Sequence, residues 1–120
     1  MADEFGVSPE EIRRALGELK IGKTLLVHPR TGEIWMAGPF SSVETPYRVV
    51  GSRAQWFANC AWDMLGVTMI TRERVTIDAR CGDCHEPIRI SADHESPPRE
   101  PFVVHFLVPA RRWYDDVGFT

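Results

Sequence analysis

The residues best suited to chemistry are a cysteine and an aspartate three positions apart, Cys60 and Asp63. On a helix this spacing places both side chains on one face. A thiolate is a soft nucleophile and metal ligand, and a buried carboxyl group beside it is favoured in its protonated form by desolvation and by like charge. The pair therefore fits a nucleophile and an acid. The alternative is that Cys60 is a small buried hydrophobic residue and Asp63 a capping group.

A second group of metal-ligating residue types is Cys81, Cys84 and His85. Their C-x-x-C-H spacing is half of a zinc site and also the spacing of c-type haem attachment. A tetrahedral zinc site needs a fourth ligand, for which His94 and His105 are the candidates. Haem attachment requires export in most settings, and the N-terminal residues lack the pattern of a signal peptide, so zinc is the favoured metal. The remaining alternative is a tight turn in which Cys81 packs inward and Cys84 is a free thiol.

The sequence around the first cysteine carries a family resemblance. Residues 56–65 read WFANCAWDML and are preceded by TPYRV at 45–49. Together they resemble the core of the organomercurial (alkylmercury) lyase family, in which a helix with Cys-Ala-x-Asp-x-Leu supplies a mercury-binding cysteine and the aspartate that protonates carbon. The likeness extends from about residue 32 to the end of the sequence and is strongest over 45–81.

What the resemblance implies is a reaction at a carbon–mercury bond. Cys60 is expected to bind the mercury as a thiolate, and Asp63 to protonate the carbon and release a hydrocarbon. Mercury(II) is a soft ion that prefers thiolates, so its transfer to sulfur weakens its bond to carbon. Cys81 is similar to a family cysteine that serves structure. The family's second catalytic cysteine follows a strand like residues 113–120 and is not in this sequence, so we expect organomercury or Hg(II) to bind with slow or no turnover.

The first third of the sequence predicts a helix followed by a small hairpin. Ser8 begins the pattern of a capping box, and Gly22 is placed to end the helix. The apolar residues between them repeat at helical spacing and predict one buried stripe: Ile12, Ala15, Leu16 and Leu19. A turn at 29–32 joins predicted strands at 24–27 and 33–36. A helix followed by a hairpin resembles part of a winged-helix module, here a remnant without a basic recognition helix.

The rest of the sequence predicts a central helix packed on a small sheet, and hence an α+β fold. Residues 53–65 are apolar around most of a helical circumference, which predicts a buried helix that carries Cys60. Alternating or continuous apolar residues predict strands at 74–81, 87–91 and 102–108 in a mixed or antiparallel sheet, with Cys81 directed to the core. At least one aromatic residue near Cys60 is expected to wall a shared pocket: Trp56, Trp62 or Phe57.

Length and composition fit one domain. The chain has 120 residues, of which 43% are hydrophobic and 26% charged, enough for one core. Within it we expect a helix and hairpin at 1–38 and a core at 45–120. A net charge of −3 without basic clusters predicts neither a nucleic-acid partner nor an anionic membrane surface.

Cysteine usage bears on location and partners. No segment has the roughly 20 apolar residues of a membrane span. Three cysteines without an export signal predict reduced thiols in the cytoplasm. The expected partners are an organomercurial or another soft-metal ligand and cellular thiols. The lyase hypothesis requires no cofactor and has Hg(II) as product or ligand; the alternative, a small zinc-binding or regulatory module, uses zinc at Cys81, Cys84 and His85.

Overall fold

The computed structural model describes residues 2–96, 98–99 and 101–116, and it contains both helices and short strands. The helices are α1 (Ala2–Phe5), α2 (Pro9–Ile21), α3 (Asp63–Thr71) and a 3-10 turn (Ala110–Arg112). The strands are β1 (Leu25–Val27), β2 (Ile34–Ala37), β3 (Phe40–Ser41), β4 (Arg48–Val50), β5 (Gln55–Ala58), β6 (Val75–Arg80) and β7 (Pro87–Ala92). No helix of the described residues is long and apolar enough to cross a membrane.

All seven strands belong to one sheet with the order β1-β2-β3-β5-β4-β6-β7. Every neighbouring pair is antiparallel. The predicted α+β class is confirmed, and of the two sheet types expected the antiparallel one is present. The predicted strands at 74–81 and 87–91 correspond to β6 and β7.

The N-terminal helix begins where the capping box predicts. The Ser8 hydroxyl accepts the Glu11 N–H at 3.2 Å, and the Glu11 carboxylate accepts the Ser8 N–H at 2.9 Å. The predicted inward stripe is present only in part: Ile12 and Leu16 are half-buried, but no residue of α2 is fully buried and Leu19 is 43% exposed. The reason is position: α2 packs on β1, an edge strand, so little of the sheet is available to cover it.

The predicted hairpin is present as β1 and β2. Gly32 donates its N–H to the His28 carbonyl at 2.9 Å and has a φ of +72°, a left-handed conformation that glycine adopts without steric cost. His28 in turn donates its N–H to the Glu33 carbonyl at 2.8 Å. The comparison with a winged-helix module stays a prediction, because neither the hairpin nor the helix establishes it.

The core lies between α3 and the β4, β6 and β7 end of the sheet. Its largest fully buried side chains are aliphatic: Ile77, Ile90, Val49, Val67 and Val75. Burying each such side chain contributes about 1.5–3 kcal/mol. This end of the molecule is therefore the rigid support for whatever the start of α3 carries.

The predicted helix at 53–65 is wrong over its first half, and with it the prediction that a central helix carries Cys60. Residues 55–58 form β5, which pairs with β3 on one side and β4 on the other. Trp56 and Phe57 fit a pleated surface well, and pairing on both sides satisfies the backbone groups that a helix would have satisfied. The helix starts at Asp63 and continues to Thr71, past the predicted end at residue 65. Cys60 lies in the turn before it.

The predicted strand at 102–108 is also wrong, because these residues form no strand. Their side chains alternate between half-buried and exposed, and Val103 and Leu107 are 91% and 76% exposed. Phe102, on the inward set, packs against the core. The alternation therefore indicates an extended segment with one face inward, which side-chain packing produces without strand pairing.

Candidate active site

The turn between β5 and α3 is tied to the loop between β2 and β3. The Asn59 side-chain amide donates to the Gly38 carbonyl at 2.6 Å, and its backbone N–H donates to the Pro39 carbonyl at 3.2 Å. The Cys60 carbonyl accepts the Met64 N–H at 3.1 Å and so begins the first turn of α3. Cys60 is thus held between a fixed loop and the start of a packed helix.

Cys60 and Asp63 face each other across this turn. The Cys60 thiol donates to Asp63 Oδ2 with a sulfur-to-oxygen distance of 3.3 Å, and the Asp63 N–H donates back to the sulfur at 3.4 Å. Both side chains are half-buried. The predicted proximity of the two groups is therefore present, although a turn and not a helix produces it.

Burial raises the pKa of the Cys60 thiol above its ordinary value, and the negative charge of Asp63 acts in the same direction. The backbone N–H groups of Asp63 and Trp62, which point toward the sulfur, oppose both effects. The resting group is consequently a thiol near neutral pH. Its proton already lies on a hydrogen bond to a carboxylate.

Cys60 and Asp63 open onto one cavity of about 310 Å³. Its other walls come from the α2–β1 connection, the β1–β2 hairpin, the β2–β3 loop, the turn around Cys60 and the C-terminal segment. The residues are Lys23, Thr24, Leu26, Met36, Gly38, Asn59, Trp62, Phe106, Trp113 and Tyr114. Aromatic and aliphatic side chains form most of this lining. A thiol and a carboxyl group thus meet in a mainly apolar hollow, which suits a substrate with a hydrocarbon part.

Of the three aromatic residues named as alternatives for this wall, Trp62 lines the cavity, and it lies at the surface with 60% exposure. Trp56 and Phe57 are strand residues of β5 and do not line the cavity. Sequence reasoning missed three further aromatic residues that line it, Phe106, Trp113 and Tyr114. The rings of Phe106 and Trp113 lie 4.8 Å apart, centroid to centroid.

Two contacts hold the C-terminal wall of the cavity. The Trp113 indole N–H donates to the Val108 carbonyl at 2.8 Å, and the Lys23 ammonium lies 4.0 Å from the ring centroid of Tyr114. A cation over an aromatic face is attracted by the ring quadrupole. The first contact fixes the segment after residue 101 internally, and the second links it to the N-terminal part of the chain. Residues 113–115 form a turn, and the rest of the strand-like stretch named above, 117–120, lies outside the described residues.

Cys81, Cys84 and His85 lie together in the turn between β6 and β7, away from this cavity. Cys81 is half-buried at the end of β6, and Cys84 is exposed. Of all the residues that the structure describes, no group of three or more His, Cys, Asp or Glu is arranged to hold a metal ion. His94 and His105 therefore do not complete a tetrahedral site there, and the geometry gives the zinc hypothesis no support.

Comparison with known proteins bears on the Cys60 site. The profile of the MerB alkylmercury lyase family matches residues 40–120, which is more than half of the chain. The chain belongs to the alkylmercury lyase family. The matched region contains Cys60, Asp63 and Cys81. The α2–β1 connection and the β1–β2 hairpin, which contribute to the cavity wall, precede it.

A solved structure shows the same fold. The crystal structure of the mercury-bound form of MerB2 superposes with a TM-score of 0.60 and 18% sequence identity, and the alignment covers 82% of this chain. It covers 48% of the MerB2 chain, so this chain spans about half the length of that relative. No curated protein matches the sequence.

Proposed function

We propose that this protein binds organomercurials through Cys60 and that Asp63 donates the proton that cleaves the carbon–mercury bond. The observation that carries the proposal is the hydrogen-bonded pair, a thiol and a carboxylate 3.3 Å apart on the wall of one cavity. Membership of the alkylmercury lyase family supports the same chemistry.

The first step is exchange of the thiol proton for mercury. As the sulfur of Cys60 bonds to the metal of an R–Hg cation, its S–H bond breaks, and the proton moves along the existing hydrogen bond to the Asp63 carboxylate. The Asp63 carboxylate is a useful proton acceptor because the raised pKa of Cys60 disfavours loss of the thiol proton to water at neutral pH. The carboxyl group then holds one proton beside the bound organomercurial.

The second step is protonation of carbon. The carboxylic acid of Asp63 gives its proton to the carbon bound to mercury, the carbon–mercury bond breaks, and the hydrocarbon leaves with the electron pair of that bond. Hg(II) stays on the Cys60 sulfur with an open coordination position. A soft ion prefers a second thiolate there, which also stabilises the transition state as the carbon leaves.

The source of that second thiolate determines the rate. Of the three cysteines, all of which lie in the described part of the chain, Cys60 alone lines the cavity. We therefore propose that a small external thiol fills the second position, and that turnover by these 120 residues is slow and increases with thiol concentration.

The deciding experiment measures benzene released from phenylmercury with excess external thiol. We expect slow release by the unaltered chain and none above background by Cys60→Ser. Cys84→Ser is the matched control, since it removes an exposed thiol outside the cavity and should leave the rate unchanged. Release that survives in Cys60→Ser would refute the proposal.

A further inference from the structure

The turn that joins β6 to β7 holds two cysteines that the proposed reaction does not use. Two backbone hydrogen bonds close this turn: the Cys81 N–H donates to the Glu86 carbonyl at 2.9 Å, and the His85 N–H donates to the Cys81 carbonyl at 3.1 Å. They fix the backbone between Cys81 and Cys84. The two thiols therefore project from one defined turn at the end of a paired hairpin.

The surroundings of the turn lower the pKa of Cys81. The backbone N–H groups of Cys84 and Asp83 and the thiol of Cys84 act in this direction, and they outweigh the opposing effects of burial and of the Asp83 charge. Amide donors directed at a sulfur favour the thiolate, which is the form that binds soft metals. Because the turn is closed from Cys81 to His85 and Glu86, the three-residue spacing places the Cys81 and Cys84 side chains near each other.

The donor set of this turn is too small for zinc and sufficient for a softer ion. Structural zinc takes four protein ligands, and no group of three is present among the described residues. Mercury(II) is satisfied by two thiolates in a linear arrangement. From a metal-to-sulfur bond of at least about 2.3 Å, the sulfurs would stand roughly 4.6 Å apart, a separation that rotation of the exposed Cys84 side chain can supply.

We propose that Cys81 and Cys84 form a chelating site for inorganic Hg(II), separate from Cys60. Two sulfur–mercury bonds form, two S–H bonds break, and two protons pass to solvent, so no oxidant or reductant is needed. An organomercurial cation already has one bond to carbon and can gain only one thiolate. The site thus retains inorganic Hg(II) and discriminates against R–Hg cations. This binding does not depend on whether the Cys60 site cleaves carbon–mercury bonds.

The test uses the full chain with Cys60→Ser, so that only this turn can bind. Equilibrium dialysis against HgCl2 with increasing N-acetylcysteine compares Cys60→Ser with Cys60→Ser/Cys84→Ser. The chelate should hold Hg(II) against on the order of 100-fold more competitor than the variant with one thiol, because the second bond forms within the molecule. Retention of phenylmercury should differ between the two proteins by less than about threefold, since each offers it a single bond at a time.

Native mass spectrometry of Cys60→Ser should show one mercury per monomer with the loss of two protons. Equal retention of Hg(II) by the single and double variants, or mercury found only between two chains, would overturn the proposal. Cys60→Ser/Cys81→Ser should match Cys60→Ser/Cys84→Ser; if it fails to fold, the Cys84 comparison decides, because that side chain is exposed. Failure of the lyase proposal would appear separately, as benzene release that does not depend on Cys60.

Discussion

Two turns of this protein each hold a cysteine near an aspartate, yet they shift the thiol pKa in opposite directions. Before α3, burial and the charge of Asp63 raise the pKa of Cys60. Between β6 and β7, amide and thiol donors lower the pKa of Cys81. Burial is the largest cause at Cys60, whereas at Cys81 hydrogen-bond donors outweigh burial. The partners differ as well: the Cys60 thiol donates to a carboxylate, whereas amide and thiol donors act on the Cys81 sulfur.

The difference separates two kinds of thiol chemistry. A thiol hydrogen-bonded to a carboxylate keeps its proton and can pass it to that carboxylate when a metal replaces it. A sulfur near N–H donors has a lowered pKa, so it forms the thiolate more readily and is less suited to supply a proton. The first arrangement suits cleavage of a carbon–metal bond, and the second suits retention of a metal.

The largest expected effect comes from removing the acid beside Cys60. Asp63→Asn should lower the rate of benzene release by roughly 10²–10⁴-fold, the usual contribution of a positioned general acid, and leave phenylmercury bound through the unchanged sulfur. Asp83→Asn, at the other turn, is the control and should not change the rate. Gas chromatography of the released benzene measures both. Full activity in Asp63→Asn would mean that water supplies the proton and that the two turns do not differ as proposed.

A smaller effect is expected in the pH dependence of alkylation. Only the thiolate attacks iodoacetamide, so each labelling rate rises as pH passes the pKa of that thiol. Labelling from about pH 6 to pH 10, followed by peptide mass spectrometry, should place the midpoint of Cys60 above the ordinary thiol value of about 8.5 and that of Cys81 below it. In Asp63→Asn the Cys60 midpoint should move down, because the repelling charge is gone. Midpoints in the reverse order would contradict the comparison.

The parts of the fold that the sequence predicted are those with local causes. The capping box at Ser8, the glycine turn at Gly32 and the β6–β7 hairpin depend on residues a few positions apart. The Cys60 and Asp63 pair was also found, although the predicted helix was wrong there. The turn ends in a residue with helical φ and ψ, Trp62, so the three-residue spacing still brings the two side chains together.

The parts that the sequence did not predict depend on distant contacts. β5 is a strand because β3 and β4 pair with it on both sides. The sequence of residues 53–65 alone does not indicate that these pairing strands exist. The cavity likewise combines Met36 of the hairpin with Trp113 near the C-terminus. An excess of aromatic residues was visible in the sequence, but which of them face Cys60 is set by the tertiary fold.

A third test compares how firmly each turn is held. Asn59→Ala removes the 2.6 Å hydrogen bond from the Asn59 amide to the Gly38 carbonyl and should lower the free energy of unfolding by about 1 kcal/mol. Arg80→Ala removes the corresponding bond at the other turn, from an exposed guanidinium to the His85 carbonyl at 3.2 Å, and should cost less than about 0.5 kcal/mol. Urea unfolding measures both. A larger loss in Arg80→Ala would show that the β6–β7 turn is the more firmly held of the two.

The smallest expected effect separates a two-thiolate site from a zinc-type site that uses the neighbouring histidine. His85 has a left-handed φ of +60°, its N–H closes the turn, and its carbonyl accepts from Arg80. The backbone of His85, and not its imidazole ring, therefore makes the contacts that hold this turn. Asparagine tolerates that conformation, so His85→Asn keeps the turn intact. In the Cys60→Ser chain, His85→Asn should change retention of Hg(II) against N-acetylcysteine by less than about twofold, since the ion needs only the two sulfurs. If the imidazole were a ligand, its loss would weaken metal retention on the order of tenfold or more, because even the loss of a residue that hydrogen-bonds to a metal ligand has an effect of that size. That larger loss in the dialysis assay would assign His85 to the site and make the second turn a three-ligand centre.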